Sequence, residues 1–453
     1  MGFIPVDELD ARGTLAAAER VVQERRAAEV DDLLLVAHWA DLHAADPRRV
    51  DGRRSWCGED RLVEIGGDGT PLVQELCLPE LATARQVHTL SLRAAMADVL
   101  DLRHRLPLTW QVVQQLDCEV WVARKIAALS RGLDQLQVRV VDGAVADAIA
   151  GESPSRVLDL ARAKVIEADP AGYAARLDAE LRKRFVSLSR TDDHGLCHVI
   201  ARVEAGTAGW VDALVERIAD ALALRRDLVP DLPDDARRDE LRAVAFGWLA
   251  HPEDVLDLLG TPVDQPDRHR SKAVVYVHLH QCALEGAGGV ARAEGLGPQL
   301  LDQVRRLLGH ARVDLKPVID LNTGTRVTAY EHPEAVQERT HLRTVGEVFP
   351  NATRVSRQVD MDHAKRWDAD GPPGQTGDHN AAPLARTHHR AKTHLGYRLR
   401  QLGPGDYLWR TPHGLHRRVD ATGTQVIDEV TAWQLEHPGE LDRALERIRL
   451  VYA

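Results

Sequence analysis

Apolar residues recur with a helical period over most of the stretch from Pro5 to Ala250. In "ELATARQVHTLSLRAAMADVLDLRHRL", Leu92, Met96, Val99 and Leu100 fall at i, i+4, i+7 and i+8, one stripe of a helix. "TWQVVQQLDCEVWVARKIAAL" and "WVDALVERIADALALRRDL" repeat the pattern. The pattern breaks at "SPSR", "ADPAG" and "VPDLPDD", where Pro, Gly and Asp supply turn signals.

A period of two replaces it in two places. "RFVSLSRTDDHGLCHVIARV" predicts a hairpin turning at Asp192 to Gly195. "KAVVYVHLHQ" alternates Val275, Val277 and Leu279 against Tyr276, His278 and His280, which predicts a strand. His278 and His280 share a face and could hold a metal, but two histidines alone more often sit at a core edge. Gly286 to Ala291 matches G-x-G-x-x-A, yet no helix follows it as dinucleotide binding requires. Gly295-Leu296-Gly297-Pro298 is expected to open a helix, either as a tight turn or as a phosphate-binding start. The fold class expected from these patterns is α+β, with a mostly helical N-terminal body carrying β insertions.

Composition narrows the class. The 453 residues suffice for two or three domains. With 4% aromatics the core must be mainly aliphatic. The N-terminus lacks the basic and apolar pattern of a leader, and no long apolar run follows, so a cytoplasmic protein without membrane contact is expected. The five cysteines are scattered without Cys-x-x-Cys spacing, as reduced thiols would be.

Charge changes the picture more. The net charge of -11 argues against a polyanionic partner. Between Thr340 and Arg418, however, 13 Lys and Arg face 7 Asp and Glu, and 8 of the 21 His lie there. A basic, histidine-rich segment in an acidic chain is a footprint for nucleic acid or metal.

That segment contains "VDMDHAKRWDADGPPGQTGDHNAAPLARTHHRAKTH". Phosphodiester hydrolysis needs a cation to stabilise charge on the phosphate and leaving group, and a base to deprotonate water. Asp362 and His363, adjacent near a strand end, would point to opposite sides. Asn380 is expected to precede a helix, with His389 about two and a half turns into it and Lys392 at i+3. Each residue alone has an ordinary reading, as a surface pair or a helix cap. Their joint spacing is what points to a site.

The order Asp-His, Asn, His-x-x-Lys resembles the HNH nucleases, which build a metal site from two strands and a helix. "VARAEGLGPQLLDQVRRLLGH", "KPVIDL", "AYEHPEAV", "FPNATR" and "RTHHRAKTHLGYRLRQLGPGDYLWRTPHG" extend the likeness. From roughly Leu76 to Gly414 the chain is similar to the actinobacterial proteins that join an N-terminal DUF222 domain to a C-terminal HNH endonuclease domain, also called 13E12 repeat proteins. The resemblance implies a body over 1-338, a ββα-metal domain over 339-418 and a helical tail over 419-453. It implies Asp362 and His389 as metal ligands, His363 as general base, and Asn380 as the residue holding loop and base. The metal would be Mg²⁺ or Mn²⁺, with Zn²⁺ or Ni²⁺ as alternatives.

The chain departs from the family where cysteines commonly hold a structural zinc. Glu347, Ala352, Val359 and Ala385 stand there instead, so no structural zinc is expected and packing must hold the hairpin. Downstream, "GYRLRQLGPGDYLWR" predicts a hairpin around Gly403-Pro404-Gly405. Arg398, Arg400 and Arg410, with Tyr397 and Trp409, could line a DNA backbone, and Arg386 and Lys392 are further candidate nucleic-acid contacts. The expected function is a metal-dependent DNA endonuclease. The alternative is a weakened or inactive DNA-binding or regulatory protein that retains the HNH outline. A homo-oligomer through the body or tail is compatible with either.

Overall fold

The helical stripes become packed helices, and the period-two segments become small antiparallel sheets, giving the α+β class. The computed structural model describes residues 6–46, 60–233, 235–260, 276–278, 289–294, 296–308, 321, 324–352 and 357–439. Contacts divide the chain into two units, Met1–Asp169 with Leu315–Ala453, and Pro170–Asp314. Among the described residues no helix is long and apolar enough to cross a membrane.

The first unit begins with α1 (Ala11–Leu42), whose N-cap Asp10 accepts the Gly13 N–H at 2.7 Å. A short hairpin of β1 (Leu62–Val63) and β2 (Val73–Gln74) precedes α2 (Leu78–Ala84) and α3 (Thr89–Arg105). Then follow α4 (Pro107–Gln114), α5 (Val120–Ser130), α6 (Gln137–Ile149) and α7 (Pro154–Ala168). The stripe of Leu92, Met96, Val99 and Leu100 is 0% exposed and packs in one aliphatic core. α3 also buries charge. Asp101 accepts from the Gly67 N–H at 2.7 Å, from Arg105 at 3.1 Å and from Arg131 at 2.6 Å. Asp98 takes Arg131 and Arg124 at 2.8 and 3.0 Å.

The second unit starts with α8 (Pro170–Leu181) and the expected hairpin, β3 (Phe185–Leu188) against β4 (Val199–Arg202). Its turn closes from the Gly195 N–H to the Asp192 carbonyl at 3.1 Å. α9 (Ala205–Leu224), α10 (Arg238–Trp248) and α11 (Pro252–Leu258) form a core around Ile218, Leu222 and Ala245. A three-stranded sheet orders β5 (Val277–His278), β6 (Val290–Ala293) and β7 (Gly297–Leu300). His278 bonds Glu294 at 2.7 Å, while His280 and the first three residues of the G-x-G-x-x-A run lie outside the described residues. Gly297-Pro298 does not open a helix. Gly297, at φ +74, turns β6 into β7, and helix α12 starts only at Leu301–Leu308.

The chain returns to the first unit with β8 (Arg326–Val327) and α13 (Glu334–Thr344). β9 (Asp360–Asp362) pairs antiparallel with β11 (Ala382–Leu384), and β10 (Thr376–Gly377) pairs with β8. α14 (Arg386–His394) follows β11 directly. A four-stranded sheet then runs in order through β12 (Arg398–Gly403), β13 (Asp406–Arg410), β14 (His416–Asp420) and β15 (Gly423–Ile427). Residues from 419 onward were expected to be helical. Instead β14 and β15 carry the sheet to Ile427, and the helix is α15 (Glu429–Glu436), capped by Asp428. At Gly423 a Cβ would lie 2.1 Å from the Gly151 backbone, so glycine lets β15 approach the end of α6, where Thr424 N–H bonds the Gly151 carbonyl at 2.6 Å.

Candidate active site

Two strands and a helix position the candidate residues. β9 presents Asp360 and Asp362 on one face, because alternate strand residues share a side. β11 lies opposite, with Ala382 against Asp362 and Leu384 against Asp360. Leu384, Tyr407 and Trp409 are fully buried beneath this pair. Tyr407 donates its hydroxyl to the Ala381 carbonyl at 2.8 Å, and Trp409 its indole N–H to the Val348 carbonyl at 2.8 Å.

Asn380 does not lead straight into the helix. Pro383 favours extended backbone in the residue before it, so β11 forms first and helix α14 waits until Arg386. His389 is therefore in the first turn of the helix rather than deep inside it. Asn380 instead clamps the loop between the strands. Its Oδ1 accepts from the Lys365 N–H at 2.6 Å, and its Nδ2 donates to the Lys365 and Gln375 carbonyls at 3.0 and 2.9 Å.

The helix brings His389 and Lys392 against β9. His389 Nδ1 donates to Asp360 Oδ2 at 2.9 Å, which turns Nε2 toward Asp362 Oδ1, 3.5 Å away. Lys392 donates to Asp362 Oδ2 at 2.7 Å and to the His363 carbonyl. Asp362 Oδ1 also accepts the His363 N–H at 2.7 Å.

His363 points the other way, as adjacent residues at a strand end should. Its ring is 4% exposed, 4.4 Å from His332 and 5.4 Å from Tyr330 between centroids. Nε2 bonds Thr376 Oγ1 at 2.8 Å, while Nδ1 has no hydrogen-bond partner among the described residues. Burial, reinforced by the charges of His332 and Lys392 and opposed by Asp362, pushes the imidazole down to about 4. At neutral pH the ring is uncharged and retains a lone pair. Burial also lowers His332, which hydrogen-bonds the Asn380 carbonyl through Nε2 at 3.2 Å.

A second carboxylate cluster supports the loop. Arg339 grips Asp378 through both oxygens, at 2.7 and 2.6 Å, and Arg343 and the Thr325 N–H add bonds at 3.1 and 2.9 Å. Burial works to raise Asp378, but these cations and donors outweigh it and hold the carboxyl down at about 2. Beside it, Gly377 permits a contact no side chain could share, since a Cβ there would lie 2.0 Å from the Thr325 carbonyl.

Glu347 and Ala385, which stand at two of the four positions singled out in the sequence, meet directly. The Glu347 carboxylate accepts the Ala385 N–H at 2.9 Å and bonds His388 at 2.7 Å. Phe349 stacks on His388 at 4.0 Å. This pair pins the start of α14 to the preceding loop.

Asp362, His363, His389 and Lys392 line one cleft of about 730 Å³ with Arg398, Arg400 and Arg410. The last three are exposed, on one face of the β12–β13 hairpin, with Arg398 opposite Arg410. None of their side chains has a hydrogen-bond or ion-pair partner among the described residues. Arg386 differs from them, since it pairs with Asp360 at 3.1 Å while remaining 74% exposed.

A divalent cation fits the donor set as an open site. Asp362 offers oxygen and His389 a nitrogen held by Asp360, with a separation suited to sharing one ion. No group of three or more His, Cys, Asp or Glu gathers as a metal cage among the described residues, so ligands beyond these two would be water or substrate oxygen. The sequence reading missed Asp360, His332, Thr376, Tyr330 and Trp367. Asp360 carried a signal, two residues before Asp362 on the same strand face. Comparison of the chain with protein-family models, with curated proteins and with solved structures gives no match.

Proposed function

We propose that this chain is a metal-dependent DNA endonuclease of the HNH type, with Asp362 and His389 as ligands and His363 as general base. The observation that carries the reading is the meeting of three chemistries in one cleft: a carboxylate–imidazole pair, a neutral histidine and unpaired arginines. A bound divalent cation would neutralise developing charge on the phosphate and the leaving oxygen.

The protein's own groups do the rest. Thr376 accepts from Nε2 of His363 and fixes the ring, so the open Nδ1 takes the proton from water. Asn380 keeps the loop after His363 in register with β11. Asp360 orients His389, and Arg398, Arg400 and Arg410 hold the DNA backbone. The order Asp-His, Asn, His-x-x-Lys, which resembles that of the HNH nucleases, points to the same assignment.

One observation favours a second reading. Lys392 places an ammonium on Asp362 where a cation would share its charge, which suits a DNA-binding protein with a weakened site. Mn²⁺ binding and plasmid nicking, measured together on wild type, Asp362→Ala and His389→Ala, separate the two. Loss of both properties in both variants supports the endonuclease. Salt-sensitive DNA binding without Mn²⁺ binding or nicking by wild type favours the second reading.

A further inference from the structure

We propose that the cleft receives an unpaired nucleotide beside the reacting phosphate, so that single-stranded or flapped DNA is preferred over continuous duplex. The inference rests on the endonuclease reading for the phosphate's position, but its own evidence lies in other residues of the cleft lining. The arginine row grips a backbone of any kind and does not distinguish these forms.

Part of the cleft lining is aromatic. Tyr330 is 61% exposed, and its ring lies 5.4 Å from His363 and 5.3 Å from Trp367, which it meets edge to face. Both rings line the cleft, and the buried Ala364 and the exposed Lys365 and Arg366 separate His363 from Trp367 along the chain. A flat ring beside the reacting group can stack only on a base that has left its own stack. Paired bases in a duplex show the protein edges, not faces. The cleft volume, about 730 Å³, falls in the range that encloses a small organic ligand, and so can admit one turned-out nucleotide. The geometry thus gives the phosphate to Asp362, His389 and Lys392, and the base to Tyr330 and Trp367.

The experiment uses one labelled oligonucleotide offered as a single strand, as a flap on a duplex and fully paired. Binding is measured by fluorescence anisotropy in EDTA, and cleavage in Mn²⁺. Single strand and flap should bind about tenfold tighter than duplex, and Tyr330→Ala and Trp367→Ala should each remove about tenfold from single-strand binding alone. Tyr330→Phe keeps the ring and should bind as wild type. Because Tyr330 is exposed, its alanine variant is the one whose fold is least at risk, and circular dichroism checks both. Equal binding of duplex and single strand, or equal loss on both in the alanine variants, overturns the inference and leaves the endonuclease standing. The expected preference without cleavage in Mn²⁺ supports the inference and ends the endonuclease reading. No binding to any form overturns both.

Discussion

Arginine does opposite work in two regions of the first unit. In the helical body, Arg105, Arg124 and Arg131 each answer a carboxylate of α3, and Arg105 and Asp101 have no exposed side-chain surface. On the β12–β13 face, Arg398, Arg400 and Arg410 answer none among the described residues, although Arg398 and Arg410 stand directly opposite one another. Like charges opposed across a hairpin cost stability. The helical body pairs these three arginines, while the hairpin row is left open for an anion from outside.

The contrast breaks most visibly through function and stability together. Replacing His363 by Ala should lower cleavage by about 10²- to 10⁴-fold in a plasmid assay, the usual contribution of a general base. DNA affinity should stay within about twofold, because the backbone contacts belong to the arginine row. A variant that cleaves like wild type would remove His363 from the site.

Arg105→Ala should cost about 3 to 5 kcal/mol in urea unfolding, since it leaves Asp101 buried with one cation fewer. Arg410→Ala should change stability by no more than about 0.5 kcal/mol. Similar losses in both would erase the distinction between matched and open arginines.

Asp378 gives an intermediate effect that depends on pH. Its folded pKa of about 2 lies below the ordinary value of 3.8, so the unfolded chain takes up protons first as pH falls. Its contribution, about 2 kcal/mol, is complete above about pH 5 and is lost as pH falls through 3.8 toward 2. Urea titrations across that window should show the loss in wild type and not in Asp378→Asn. A parallel loss in both would assign it to other carboxylates.

The smallest effect is the most specific to the open row. Arg398→Gln, Arg400→Gln and Arg410→Gln should each reduce the salt slope of DNA binding by about 0.7 to 0.9. Unchanged slopes would place the DNA elsewhere.

The sequence made local features legible and left long-range ones hidden. The Leu92 to Leu100 stripe, the hairpin at Asp192 to Gly195 and the turn at Gly403 to Gly405 each depend on residues close in the chain, and each is present. The site's positions were read from spacing and family likeness, and the structure brings Asp362, His363, His389 and Lys392 to one cleft. What supports them comes from afar. His332 and Tyr330 reach His363 through the pairing of β8 with β10, which no local period announces. The helix register also misled, because a pattern of charged and histidine residues does not reveal that Pro383 holds a strand ahead of α14. In the tail, the short run after Gly423 was too brief to separate strand from helix, and pairing with β14 decided it.

The central claim is that the cleft between β9, α14 and the β12–β13 hairpin hydrolyses DNA. Supercoiled plasmid incubated with wild-type protein and Mg²⁺, Mn²⁺ or Ni²⁺, beside folded His363→Ala and His389→Ala, tests it most directly. The account predicts metal-dependent conversion to nicked or linear plasmid by wild type, reduced at least a hundredfold in both variants. Intact plasmid in every metal with folded wild type, or equal cleavage by all three proteins, would contradict it.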